Sequence, residues 1–381
     1  MKKKIAIIGA SYLQEPLIQK AKAKGLETHV FAWECGDIGE KSADYFYPIS
    51  IVEKEEIAEK CREIGISGVC SIASDLAAIT VNYVASQLGL IGNDMQCVNV
   101  STNKHNMRRC FEKNNDPSPR SIIVEKIDDL VGIHLDFPII VKPTDRSGSR
   151  GITKVNAYED ISEAIARAVG QSFEKKALVE EYAEGKEYSV EYVSWQGKHK
   201  FLAVTQKYTT GAPGFIETGH LEQAQIDDNT SLKIKKVVEH ALNSLGIKFG
   251  ASHSEIKISE EGSIKIIEIG GRMGGDCIGS SLVELSTGYD FLGAVIDISL
   301  GIEPQYCFGE KSSAAIRFIF SEKDIDVLNR IKNENPEILV CEDVREITNE
   351  KVVDSSTRFG YFIISSQNVN ELLKYMPIQC E

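Results

Sequence analysis

Lys265-Ile-Ile-Glu-Ile-Gly-Gly-Arg-Met-Gly-Gly-Asp-Cys-Ile-Gly279 decides how the rest of the chain is read. A short apolar strand carries one carboxylate, Glu268, in its interior, and glycines surround Arg272 directly after it. A lone buried carboxylate is a poor way to build a core, because an unpaired charge is costly to desolvate. It is a reasonable way to hold a hydrated cation beside an anion. Just upstream, Ala251–Ile258 (ASHSEIKI) reads as a strand with Glu255 inside it, and Glu261-Gly262 turns the chain straight back. Two adjacent antiparallel strands then each present one carboxylate, and the two can face the same side. Like charges at that range repel unless a cation lies between them, which makes Glu255 and Glu268 candidate metal ligands.

Of 381 residues, 42% are hydrophobic and 26% charged, an ordinary globular composition with material for two or three cores. The net charge of −13 and the lack of a dense basic run argue against a nucleic-acid binder. An acidic chain still binds polyphosphate, but through a local basic pocket and bound cations. Nine cysteines are widely spaced, odd in number and without a CxxC, which points to a reducing cytoplasm rather than a disulfide framework. The basic start, MKKKIAIIGA, leads into an apolar run too short for a signal or spanning segment, and reads as a first strand.

From Lys4 to Leu88 strands and helices alternate, the pattern of a parallel α/β unit. Its first turn, Gly9-Ala10-Ser11, has one glycine and makes a weak dinucleotide fingerprint, so a nicotinamide oxidoreductase is a poor reading. Glu34 and Asp75 follow strand ends, where open α/β sheets place ligands, although solvated loop acids occur there too. Asn103 to Arg108 opens a helix carrying Lys104. Phe137 to Pro143 is a buried strand closed by Lys142, an expensive residue there unless its ammonium meets an anion. The following Asp145-Arg-Ser-Gly-Ser-Arg-Gly151 offers backbone N–H groups, hydroxyls and positive charge, as phosphate oxygens require. No GK[ST] follows it, so it is not a Walker A loop. Glu180, Glu181, Glu184 and Glu187 crowd a turn at Gly185. Thr209–Gly219 reads as a mobile loop ending at His220, three residues past Glu217, and Val283–Leu300 as one helical segment.

The order of these parts strongly resembles the ATP-grasp superfamily of carboxylate–amine ligases, in its L-amino-acid ligase and carbamoyl-phosphate-synthase-like branch. The residues that carry the resemblance are Asn103-Lys104…Met107-Arg108, Ile140-Val-Lys-Pro143, Ser147-Gly-Ser-Arg-Gly151, Phe215-Ile-Glu-Thr-Gly-His220, Glu268 to Asp276 and Asp354-Ser-Ser-Thr-Arg-Phe-Gly-Tyr361. The resemblance implies an α/β fold with α+β parts. It would comprise a Rossmann-like pre-ATP-grasp domain over 1–98, an ATP-grasp domain over 99–305 and a C-terminal α+β lid over 306–381. The small ATP lobe would run from about 120 to 185, with a hinge at about 180–187.

It also implies an ATP-dependent ligase that joins a carboxylate to an amine through an acyl phosphate, with small-molecule substrates, no membrane, and a homodimer as the expected assembly. Lys104 and Lys142 would bind the α- and β-phosphates, with Ser147, Gly148, Ser149 and Gly151 folding over them. Glu180 and the backbone of Ala183 would hold adenine and Glu187 the ribose hydroxyls, with Glu181 a further nucleotide-binding residue. Lys207 would reach the γ-phosphate. Glu255 and Glu268 would ligate Mg2+ or Mn2+. Arg272, His220 and Glu217 would be catalytic, beside the transferred phosphate and the amine. One position departs from the pattern: the family usually has asparagine two residues after the second metal carboxylate, where this chain has Gly270. The alternative is therefore a relative that binds ATP without ligase turnover.

Overall fold

A computed structural model describes residues 2–212 and 214–378; of the nine cysteines, Cys380 lies outside the described residues. The chain folds around three sheets. The first holds β1 (Lys4–Ile8), β2 (Glu27–Phe31), β3 (Tyr45–Tyr47) and β4 (Gly68–Cys70), all parallel in the order β3-β2-β1-β4. Its central strand is nearly all apolar because helices cover both faces, with Ile5 and Ile7 in one core and Ala6 and Ile8 in another. The helix Asp75–Leu88 follows β4. Ser74 caps it by accepting the N–H of Ala77, and Gly89 ends it in the left-handed region. Asp75 is thereby fixed at the carboxyl edge of the sheet.

The second sheet is a small antiparallel layer of β5 (Ser121–Val124), β6 (Ile139–Pro143), β7 (Thr153–Val155) and β8 (Ala177–Glu181), ordered β5-β8-β6-β7. The helix Ile161–Gln171 buries Ile161, Ala164, Ile165 and Ala168 against it. The loop after β6 carries Gly148, Ser149 and Gly151, all at positive φ.

The third sheet has eight antiparallel strands: β9 (Lys186–Trp195), β10 (Lys198–Thr209), β11 (Glu217–Glu222), β12 (Gly250–Ile258), β13 (Ile264–Gly270), β14 (Ser313–Phe318), β15 (Leu339–Val344) and β16 (Gly360–Ser366). Their order is β13-β12-β9-β10-β11-β14-β16-β15, so the C-terminal strands continue the central sheet through the β11–β14 pairing. The amphipathic helix Asp228–Leu245 covers one face, packing Ile234, Val238 and Leu242 against Tyr188, Val190 and Ile256.

Two segments differ from the sequence reading. Glu217 and His220 lie on a strand rather than in a loop, because β11 is held between β10 and β14. The stretch 283–300 is two helices, Val283–Thr287 and Phe291–Ser299. It breaks at Gly288, where φ is +67 and a Cβ would lie 2.5 Å from Gly309 Cα. Among the described residues, no helix is long and apolar enough to cross a membrane.

Candidate active site

A cavity of about 160 Å³ opens between the second sheet and the open face of the third. A register shift in the β12–β13 hairpin shapes its floor. Glu255 pairs with Glu268 but Ile256 pairs with Ile266, which leaves Ile267 as the extra residue of a β-bulge. Strict alternation would send Ile266 and Glu268 to the same face. With the bulge, Ile266 and Ile269 both enter the core, while Ile267 and Glu268 both line the cavity. On β12, His253, Glu255 and Lys257 alternate onto the same lining. The two candidate metal carboxylates are thus cross-strand neighbours on one open face.

Three lysines counter these acids. Lys104 Nζ donates to Glu268 Oε1 at 2.8 Å and to the glycine-loop carbonyl of Arg146 at 2.8 Å. Its place is set by the helix Lys104–Asn114, which Asn103 caps through the N–H of Asn106. Lys207, on β10, lies 2.8 Å from Glu187, 2.7 Å from Glu255 and 3.7 Å from Glu217. Burial opposes its charge, but the three carboxylates outweigh burial and hold the ammonium well above its usual range. Lys142 Nζ sits 2.7 Å from Glu180, which also pairs with Arg108 at 3.0 Å. Burial lowers the Lys142 ammonium, Glu180 opposes that, and Arg108 and Lys104 add to it. Burial alone would raise Glu180, yet its two cations pull it below the usual range. One acid thus serves two buried cations, which leaves Lys142 short of negative charge. That is the state of a lysine poised for an anion.

The roof is the glycine loop, where Arg146, Ser147, Gly148 and Ser149 line the cavity, joined at the end of β8 by Glu181, Tyr182 and Ala183. Arg272 enters from the glycine cluster. Its Nε and Nη2 donate to Asp75 at 2.7 and 3.2 Å, across from the first sheet. At Gly270 a Cβ would lie 3.1 Å from Asp75 Oδ1 and 3.2 Å from Arg272 Nε. The Asp75–Arg272 pair fills the space that a side chain there would need.

Of the residues that the sequence reading gave a nucleotide, metal or catalytic role, all but Gly151 and His220 line this cavity, and the strand-end acids Glu34 and Asp75 do not line it either. Gly151 packs outside it, toward Pro143 and Gln171. His220 is buried behind it, with Nε2 3.5 Å from Asp276 Oδ2, and burial holds its imidazole below the usual range. Glu217 does line the cavity; burial, against the pull of Lys207 and with the push of Asp276, raises its carboxyl to about 7. The sequence reading missed His253, Lys257, Tyr182 and Phe215 among the lining. It also missed Glu191, which pairs with His253 Nδ1 and accepts the N–H of Gly274 at 3.2 Å. The alternation of β9 and β12 was the available signal, since it places Glu191 and His253 on the face of Glu187 and Glu255.

The chemistry of the donors fits a hard divalent cation: two neighbouring carboxylates and no sulfur. Among the described residues no group of three acids, histidines or cysteines could hold a metal unaided. The remaining ligands would have to come from phosphate oxygens and water, as is common for magnesium.

The ATP-grasp domain family model matches residues 135–280 of this chain. Among curated proteins the chain is similar to alanine–anticapsin ligase of Bacillus subtilis, 27% identical over 270 residues, which are 61% of this chain and 56% of that one. It is also similar to the carbamoyl phosphate synthase large chain of Caldanaerobacter subterraneus subsp. tengcongensis, 21% identical across 68% of this chain and 24% of that one. The chain therefore spans little more than half the length of the ligase and a quarter of the synthase. Among solved structures it superposes on the L-amino acid ligase from Bacillus licheniformis with a TM-score of 0.82 at 22% identity, over 98% of this chain and 96% of that one. Phosphoribosylglycinamide synthetase from Anaerococcus prevotii gives 0.78 at 19%, with the same coverage.

Proposed function

We propose that this chain is an ATP-dependent ligase that joins a small carboxylic acid, such as an amino acid, to an amine, releasing ADP and phosphate. The observation that carries the reading is the cross-strand pair Glu255 and Glu268, facing a lysine-lined cavity beneath a glycine loop. ATP would lie along that cavity with its base at the hinge near Glu180, Glu181 and Ala183, and its ribose near Glu187. Lys104, Lys142 and the loop residues Ser147, Gly148 and Ser149 would bind the phosphates, and Lys207 would approach the terminal one. Glu255 and Glu268 would hold Mg2+, or Mn2+, which when bound neutralises charge on the transferring phosphoryl group. Attack of the substrate carboxylate on the γ-phosphorus gives an acyl phosphate and ADP. The amine then attacks the acyl carbon and expels phosphate. Arg272 faces the negative charge of both steps, an electrostatic task of several kcal/mol in other enzymes. Glu217, raised to about 7, suits a group that accepts the amine's proton near neutral pH.

The test is phosphate release from ATP and Mg2+ over pairs of amino acids, beginning with alanine because a named relative is an alanine ligase. Glu268→Gln should lower release about 100-fold or more. Unchanged release in that variant removes the metal role from Glu268. The second reading, a nucleotide-binding relative without turnover, rests on Gly270. It would show as ATP binding without phosphate release from any pair.

A further inference from the structure

The motif Asp354-Ser-Ser-Thr-Arg358 stands in the C-terminal part of the chain, and no step above uses it. Asp354 caps a short turn by accepting the N–H of Ser356, which holds the segment in one shape. Arg358 is 6% exposed, and its guanidinium lies 3.6 Å over the ring of Phe318. Its Nη1 and Nη2 donate to the two oxygens of Asp276 at 2.9 and 2.6 Å, its Nε to Ser355 O at 2.8 Å, and Nη1 also reaches Glu217 O at 3.4 Å. Asp276 and Cys277 are consecutive non-glycine residues at positive φ, a conformation that persists only when its surroundings impose it. The fork of Arg358 supplies that constraint, and only a planar bidentate cation makes both bonds. Asp276 in turn stands 3.5 Å from His220 Nε2.

The other end of the motif meets the glycine loop. Asp354 lies 3.9 Å from Arg150, and a Cβ on Gly148 would stand 3.2 Å from Ser355 Oγ. The loop is also tied to the start of β11, where Ser149 Oγ donates to Phe215 O at 3.2 Å.

We propose that Arg358 is a positioning residue for the ligase reaction: it clamps Asp276 and the Glu217 backbone, so that Glu217 and His220 are set beside the cavity, and its strap 354–358 registers the glycine loop against them. The inference rests on the ligase reading for its kinetics, but its geometry can be tested without it.

Full-length Arg358→Gln, assayed with the amino-acid pair that the phosphate screen identifies, should lose about 100-fold in kcat, the scale of a small misplacement of reacting groups. KM for ATP should stay within about twofold, since Arg358 is not itself part of the cavity lining and reaches it only through the backbone of Glu217. Arg358→Lys keeps the charge without the fork and should recover little. Asp276→Asn should give a similar kcat loss, with the double variant no worse than the worse single one. A kcat within about twofold of the parent, a defect confined to the KM for ATP, or fully additive losses would each overturn the proposal. If Arg358→Gln does not fold, Asp276→Asn carries the kinetic test. If the parent releases phosphate with no pair, the ligase reading falls, and amide exchange decides Arg358 alone, measured with a nonhydrolysable ATP analogue bound. Faster exchange at 217–220 and 274–277 in the variant, with β1 unchanged, supports the clamp, and unchanged exchange at 217–220 overturns it.

Discussion

Gly270 has no side chain because its neighbours leave no room for one. Its φ lies outside the left-handed range that only glycine tolerates easily, so the backbone would accept alanine. The obstacle is Asp75, reaching over from the first sheet to grip Arg272. A methyl group at 3.1 Å from Asp75 Oδ1 forces the pair to open by a few tenths of an ångström. Gly270→Ala should therefore lower turnover about tenfold while nucleotide binding survives, because an arginine that stabilises charge must be held to within a fraction of an ångström. Parent-level turnover in this variant would show that the Asp75–Arg272 geometry is not needed. The sequence alone marked Gly270 as the position that departs from the family pattern, and marked Asp75 as an acid at a strand end with two open readings. It did not join them, since 195 residues separate the two and only the docking of the first sheet on the third brings them together.

Strands made the Glu255–Glu268 carboxylate pair legible and concealed what surrounds it. A hairpin with one acid per strand can be read from spacing, and the structure does place Glu255 opposite Glu268. The bulge that turns Glu268 outward leaves no mark in the residue pattern. Without it, Glu268 would share the core face with Ile266. The sequence reading puts His220 at a loop end, but β11 is clamped on both sides, and the strand buries it. The same strand carries Glu222, fully buried, with hydroxyls of Thr205 and Ser286 donating to it at 2.7 Å each. Burial raises its carboxyl to about 8; the hydroxyls oppose this and nearby Glu191 adds to it. The folded chain then keeps a proton there that the unfolded chain has released, so this residue's contribution is complete below the ordinary value of 4.5 and is lost as pH rises through about 8. Glu222→Gln stays neutral and should gain on the parent across that window. Urea midpoints at about pH 5 and about pH 9 measure it, and a difference independent of pH would mean that Glu222 is ionised throughout.

The molecule carries a net charge of −13, yet its proposed substrate is a polyanion. The cavity itself offers only a small excess of positive charge: Lys104, Lys142, Arg146, Lys207, Lys257, Arg272 and His253, whose imidazole, against burial, Glu191 raises to about 9, line it against Glu180, Glu181, Glu187, Glu217, Glu255 and Glu268. A bare triphosphate entering there would meet nearly balanced charge inside and a negative field outside. It gains most if a divalent cation comes with it, because Lys104 and Lys207 are then released from Glu268 and Glu255 to meet phosphate oxygens. Binding to the folded state alone raises stability by about 2.7 kcal/mol at 100 times the dissociation constant, worth several degrees in the melting midpoint of a domain this size. A nonhydrolysable ATP analogue should thus raise the midpoint only slightly by itself and by several degrees more with Mg2+. In Glu268→Gln the Mg2+-dependent increment should vanish while the small Mg2+-free shift remains or grows, since one acid repelling the phosphates has gone. An equal shift with and without Mg2+ in the parent would mean that the lysines hold the phosphates unaided and that Glu255 and Glu268 serve only to pair with them.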